Sequence, residues 1–337
     1  MITIKANNVN EVYSIGINLL LNQGVKQASQ HGDTLEIDQP VSVCYKDPRQ
    51  RVLFNKQRDI NPFLHFFEPL WILAGREDVD FLQYLVPNMA KYSDNGSTYY
   101  GAYGRRMRGL PGMGDDQIQK AIERLQKDPD SRQVVINIRD RNDLWYEGKD
   151  TPCNLMVMLK VRQGRLNMHV INRSNDFIWG LTGTNVCQFS MLQEYIADKL
   201  GVALGHYHQT TDSFHCYLNQ QWVDIVKHRD FQDPYAEDGV RAFPMGCADP
   251  HWDEDLAEFF FRWDTGHETT HYKSAFFCDV VDPMWNTFNS HVTWRKNKLE
   301  PQREATKHYA SDILADDWRL VTMQWLEKRW DNAKEKA

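Results

Sequence analysis

The run of residues from 114 to 211 constrains the fold most. "GDDQIQKAIERLQKDPDSRQVVINIRD" opens with acidic residues, carries Ile118, Ile122 and Leu125 at helical spacing, breaks at "DPDS", and continues into Val134-Val135-Ile136-Ile138. That is a helix, a turn and a strand. Strand-like runs follow at 155–161, 165–172 and 204–211, with a long helical segment at 186–200 between the last two. Upstream, residues 11–30 read as a helix, and "DTLEIDQPVSVCYKD" reads as two strands separated at Pro40. Residues 61–85 read as a buried helix pair broken at Gly75. Strands and long helices in mixed order imply an α/β or α+β layered fold. From about Gln220 the chain becomes turn-rich, and the last helix carries Trp318, Val321, Trp325 and Trp330 on an apolar face suited to packing or to an oligomer contact.

The 337 residues, 42% of them hydrophobic, can bury the core of one large domain or two small ones. A formal charge of −7 leaves no basic footprint for a nucleic-acid polymer, so any nucleic-acid link is expected at the monomer level. No stretch approaches the length of apolar sequence that spans a membrane, and the first 30 residues lack a signal-peptide pattern. A cytoplasmic protein is expected. The six cysteines stand far apart with no zinc-site spacing, so neither a metal nor a disulfide framework is expected.

Three segments can carry chemistry. In "DTPCNLMVMLKV" a proline fixes the chain before Cys153, at the mouth of a strand; the thiol is either a small core residue or a presented nucleophile. In "NRSNDFIWGLTGTN", Arg173, Ser174, Asn175 and Asp176 cluster at a strand end, which suits a phosphate or heterocycle site or a surface ion pair. In "TTDSFHCYLN", His215 and Tyr217 share one face of an extended segment, where two polar rings can clasp a sugar hydroxyl or sit half-buried.

Together these segments resemble the thymidylate synthase superfamily, which includes the pyrimidine nucleotide hydroxymethylases. Pro152-Cys153 resembles its nucleophile, Arg173-Ser174-Asn175-Asp176 its "RS-x-D", and the His215/Tyr217 region its "D-x-H-x-Y". Ser131-Arg132 resembles the "DSRR" that crosses a dimer, with Gln133 in place of the second arginine. Glu68, Leu70, Trp71 and Gly75 resemble the folate-side helix, and "YGAYGRRMR" a family turn with Tyr103 as its tyrosine.

The resemblance implies a layered fold with a large mixed sheet packed by helices and dimerising through the sheet. Residues 1–337 would form one domain, divergent from about 220. Cys153 would add to carbon 6 of a pyrimidine deoxynucleoside monophosphate, with Arg173 favouring its thiolate. Arg173, Ser174 and the second subunit's Arg132 would hold the phosphate, His215 and Tyr217 the sugar, and Asn185 the base, although Asn185 stands one residue later than the synthase spacing and Thr184 takes that place without a gap. Glu68 and Tyr103 would serve proton transfers, Asp176 and Trp71 the folate side, and 5,10-methylenetetrahydrofolate would be the cosubstrate. The host cytoplasm is expected if a phage encodes the chain.

Departures from the synthase pattern favour hydroxymethylation, in which water attacks the one-carbon unit, over reductive methylation, in which folate delivers hydride. Asn154 replaces the synthase histidine and can position water, "NMAKYSDNGS" (88–97) has no tryptophan, and the tail "WDNAKEKA" is polar. The expected substrate is dCMP, with dUMP close behind. A thymidylate synthase and a non-catalytic nucleotide-binding relative are the alternatives.

Overall fold

A computed structural model describes residues 1–109, 115–228, 231–267 and 271–334. The strands are β1 (Ile2–Ala6), β2 (Val25–Gln27), β3 (Thr34–Ile37), β4 (Val41–Tyr45), β5 (Val134–Asn137), β6 (Asn154–Arg162), β7 (Arg165–Asp176) and β8 (Ala203–Tyr217). They form one eight-stranded mixed sheet ordered β1-β4-β8-β7-β6-β5, with β3 added to β8 and β2 to β3. The β6–β7 hairpin turns at Gln163 and Gly164, both at positive φ, as a tight turn between right-twisted strands requires.

Helices α1 (Val9–Gln23), α2 (Pro62–Leu73), α3 (Val79–Leu85), α4 (Tyr103–Arg108), α5 (Gln117–Lys127) and α6 (Asn185–Leu200) follow in chain order. Because α6 carries the chain across the sheet, β7 and β8 run parallel. Strand alternation divides the sheet into two faces. On β6, Val157, Leu159 and Val161 are buried, while Met156 and Met158 on the opposite face stay half-open. A register row, Lys5–Cys44–His208–His169–Met158–Val135, crosses that half-open face.

Two expectations change. The helix foreseen over 11–30 ends at Gln23, because Gly24 turns extended and Val25–Gln27 pairs with β3. The region beyond Gln220 is mainly helical: α7 (Gln220–Lys227), α8 (Pro234–Glu237), α9 (Trp252–Thr265), α10 (Asp282–Asn297), α11 (Glu300–Ser311) and α12 (Asp316–Lys334). Its Gly and Pro signals fall between helices or, at Pro234, Pro283 and Pro301, in their first turns, where a missing N–H costs nothing. The tryptophan face of α12 is buried, with Trp318 and Trp325 edge-on to Phe66 and Phe63 of α2. Residues 335–337 of the polar tail and 229–230 of the turn-rich stretch lie outside the described residues. Among the described residues no helix is long and apolar enough to cross a membrane.

Candidate active site

Cys153 stands immediately before β6, and β7 fixes its backbone: the Arg173 amide donates to the Cys153 carbonyl at 2.9 Å. The Arg173 guanidinium donates through Nε to the Pro152 carbonyl and through Nη2 to the Thr151 carbonyl, both at 3.0 Å. Burial pushes the half-buried thiol above its ordinary range. Arg173 and Arg139 pull it down by their charge, and Asp150 pushes it up. Arg173 therefore acts in the expected direction, but burial outweighs it.

Asn154 opens β6 fully buried, and its Nδ2 donates to the Tyr103 hydroxyl at 2.8 Å. Its Oδ1 has no partner among the described residues. Tyr103 begins α4, which lies so close to α2 that a Cβ on Gly104 would come within 2.6 Å of the Ile72 carbonyl oxygen. Only glycine permits that approach. Desolvation raises the Tyr103 pKa, which keeps the hydroxyl protonated.

Helix α2 is buried along its whole length, started by Asn61, whose side chain accepts from the Phe63 and Leu64 amides. Glu68 is its one carboxylate. Burial, helped by the charge of Asp150, pushes Glu68 up to about 7 against a hydrogen bond from Gln188, and Oε2 lacks a partner. Gln188 also accepts from Asn185 Nδ2 at 3.5 Å, so α6 links the Asn185 amide to Glu68.

The residues 177–184 form a π-helical segment. Its wide turn has room for one extra residue before Asn185. Thr184 turns its hydroxyl back to the Trp179 carbonyl at 3.3 Å. Asn185 instead faces Gly180, where a Cβ would lie 2.1 Å from Asn175 Oδ1 and 2.5 Å from Asn185 Oδ1. Asp176 caps the segment, its Oδ1 accepting from the Ile178 amide at 2.8 Å and the Trp179 amide at 3.2 Å.

His215 lies opposite Asp176, and Ser213 opposite Ser174, in the β7–β8 register. The His215 Nδ1 sits 3.2 Å from the Ser213 hydroxyl, and its ring is edge-on to Tyr217 at 5.5 Å. Asp176, Trp179 and Tyr217 line a small depression with Asn219 and Trp222. Trp71 is 3% exposed, donates its indole N–H to Asp78 at 3.0 Å, and stands edge-on to Tyr99.

Arg132 is exposed on the turn before β5. In the β5–β6 register Asn137 faces Met156, which leaves Arg132 roughly 25 Å along the strands from its own Cys153. No arginine side chain spans that distance. The entrance stretch 88–97 is tied to the loop before Cys153, with Asp94 bonded to the Tyr146 hydroxyl and accepting from the Lys149 amide at 3.1 Å.

Four residues escaped the sequence reading. Asp150 accepts from the Gly101 amide at 2.8 Å and charges the surroundings of Cys153, Glu68 and Tyr103. Its place three residues before the cysteine was the available signal. Gln188 is concealed within the buried run of α6. Arg139 keeps a buried Nη1 without a partner. Trp179, 50% exposed with the Arg58 guanidinium 4.3 Å from its ring centroid, stood out only as an aromatic in a polar turn. A separate cleft of about 310 Å³ between residues 53–60 and α12 contains none of the residues around Cys153.

The family model described as Thymidylate synthase matches residues 17–234. A deoxyuridylate hydroxymethyltransferase of Pseudomonas phage M6 is 35% identical, covering 98% of this chain and 95% of its own length. A deoxyuridylate hydroxymethyltransferase of Bacillus phage SP01 is 37% identical over 70% of this chain and 63% of its own. A third, of Delftia phage PhiW-14, is 30% identical over 66% of each. By the matched family model and the full-length likeness to the first of these relatives, the chain belongs to the thymidylate synthase family and is a one-carbon transferase.

Proposed function

We propose that this protein hydroxymethylates carbon 5 of dUMP, using 5,10-methylenetetrahydrofolate and water, through a Cys153 adduct at carbon 6. The observation that carries the reading is the linked run Asn185–Gln188–Glu68, which shares the charge of Asp150 with Cys153 and with the Tyr103 bonded to Asn154. It joins a base-reading amide, a proton-exchanging carboxyl and a nucleophile.

Thiolate addition to carbon 6 moves the ring electrons to carbon 5, which bonds to the one-carbon unit. Carbon 5 then loses its proton, and tetrahydrofolate leaves with the electrons of the broken C–N bond. Water adds to the exocyclic methylene, a proton is released, and Cys153 departs as the ring double bond re-forms. No hydride moves, and folate leaves as tetrahydrofolate. Glu68, with a pKa of about 7, exchanges protons in either direction near neutral pH. The unpaired Asn154 Oδ1 and the Tyr103 hydroxyl are the groups suited to hold water. Exposed Trp179 beside Asp176 suits a flat heteroaromatic ring.

The Asn185 amide presents an acceptor and a donor that complement uracil N3–H and O4, and the relatives above are named for deoxyuridylate. These points reverse the expected order and leave dCMP as the second reading. Arg132 lies too far from its own Cys153, which supports a homodimer with shared sites, joined through the half-open sheet face. Release of tritium from carbon 5 of labelled dUMP and dCMP tests the substrate. The reading expects faster, folate-dependent release from dUMP; release from dCMP alone overturns it.

A further inference from the structure

We propose that Cys44, His206 and His208 form a binding site for a first-row divalent transition-metal ion of the zinc class. Their ligand atoms all lie within 4.8 Å of one another. The β4–β8 register places Cys44 directly opposite His208, and strand alternation puts His206, two residues earlier, on the same face. Bonds of about 2.0–2.3 Å to a tetrahedral ion separate its ligands by roughly 3.3–3.8 Å, so modest side-chain rotations close the site.

The donors also select the ion. A thiolate with two imidazoles favours zinc, cobalt, nickel or copper over calcium and magnesium, which prefer oxygen. Coordination displaces the Cys44 thiol proton to solvent. In the single chain His206 is exposed and His208 half-buried, on the sheet face that the proposed homodimer would cover, so the ion would enter before the subunits join and its fourth position would take a water or a group of the partner copy. Lys5, opposite Cys44 on β1, is exposed and can turn its ammonium into water. The His169 ring lies 6.0 Å from His208, but its Nε2 is engaged with the Thr210 hydroxyl at 2.8 Å, so it flanks the site. Spacing gave no sign of this cluster, because the cysteine and histidines come from distant parts of the chain.

The site lies apart from Cys153. Thr211, beside Asn172 in register, is three to five residues from the histidines, roughly 10–17 Å along β8, and Asn172 in turn pairs with Asn154. The inference therefore stands apart from the proposed catalytic function. The test uses untagged full-length protein, stripped with a chelator and dialysed against Co²⁺ or Zn²⁺. The expected result is one ion per chain by elemental analysis, with a near-ultraviolet thiolate-to-cobalt charge-transfer band that Cys44→Ser abolishes. His206→Ala, an exposed change, should weaken binding more than about 100-fold, beyond the usual cost of losing an outer-shell partner. Bound cobalt without that band, no retained ion, or unchanged affinity in folded His206→Ala overturns the proposal.

Discussion

The Asn154 amide donates to the Tyr103 hydroxyl across 2.8 Å, tying the residue after the nucleophile to α4. Since α4 rests on α2 at Gly104, this bond couples the mouth of β6 to the helix that carries Glu68. Tyr103→Phe removes the acceptor and strands a fully buried amide. A cost of about 1–3 kcal/mol in urea unfolding is expected, together with a fall in turnover that exceeds any change in nucleotide binding. A variant with unaltered kcat would remove Tyr103 from the chemistry.

The neighbours of Cys153 set its reactivity in opposite directions. Burial holds the thiol above its ordinary range, while Arg173 lowers it and Asp150 raises it. The pH midpoint for alkylation of Cys153 should therefore lie above that of a free thiol. It should rise further in Arg173→Gln and fall in Asp150→Asn. Cys153→Ala should lose turnover and carbon-5 exchange while retaining nucleotide binding, as the proposed covalent role of its thiolate requires. Residual exchange in that variant would assign the nucleophile elsewhere.

Burial of Glu68 makes the stability of the chain depend on pH. Its pKa is raised from 4.5 to about 7, so the folded chain holds a proton that the unfolded chain has released. The stabilisation is present below pH 4.5 and is lost as pH rises through 7, by an amount on the order of 3 kcal/mol. Glu68→Gln should thus match the wild type more closely at pH 5 and exceed it in stability at pH 8, with activity lost. Denaturant midpoints at the two pH values check the sign.

Arg132 is too remote to serve its own Cys153, so its variant should be rescued by a partner. Arg132→Ala mixed with Cys153→Ala under subunit exchange should regain activity through hybrid dimers carrying one intact site. Mixing that restores nothing, despite demonstrated exchange, contradicts the shared site.

The order of strands and helices from 114 to 211 was legible because each run keeps one period and is punctuated by Gly, Pro or Asp. Gly24 misled because the chain there leaves the helix for a hairpin whose partner strand is the only reason to do so. Cys153, Arg173 and Glu68 were singled out from short local motifs. Gln188 and Asp150 were not: they matter through contacts to Glu68 and Gly101, which only the packing of α2, α6 and the 145–150 loop creates. The π-helical turn was likewise beyond a spacing argument. It left Thr184 and Asn185 as rivals until the backbone showed which one faces Gly180.

The central claim is that water, rather than hydride, completes the reaction. Mass spectrometry of the nucleotide formed from dUMP and 5,10-methylenetetrahydrofolate, with absorbance followed for dihydrofolate, tests it most directly. The account predicts a product enlarged by CH₂O and folate recovered as tetrahydrofolate. A product enlarged by CH₂, with dihydrofolate rising in step, would contradict it and make the protein a thymidylate synthase.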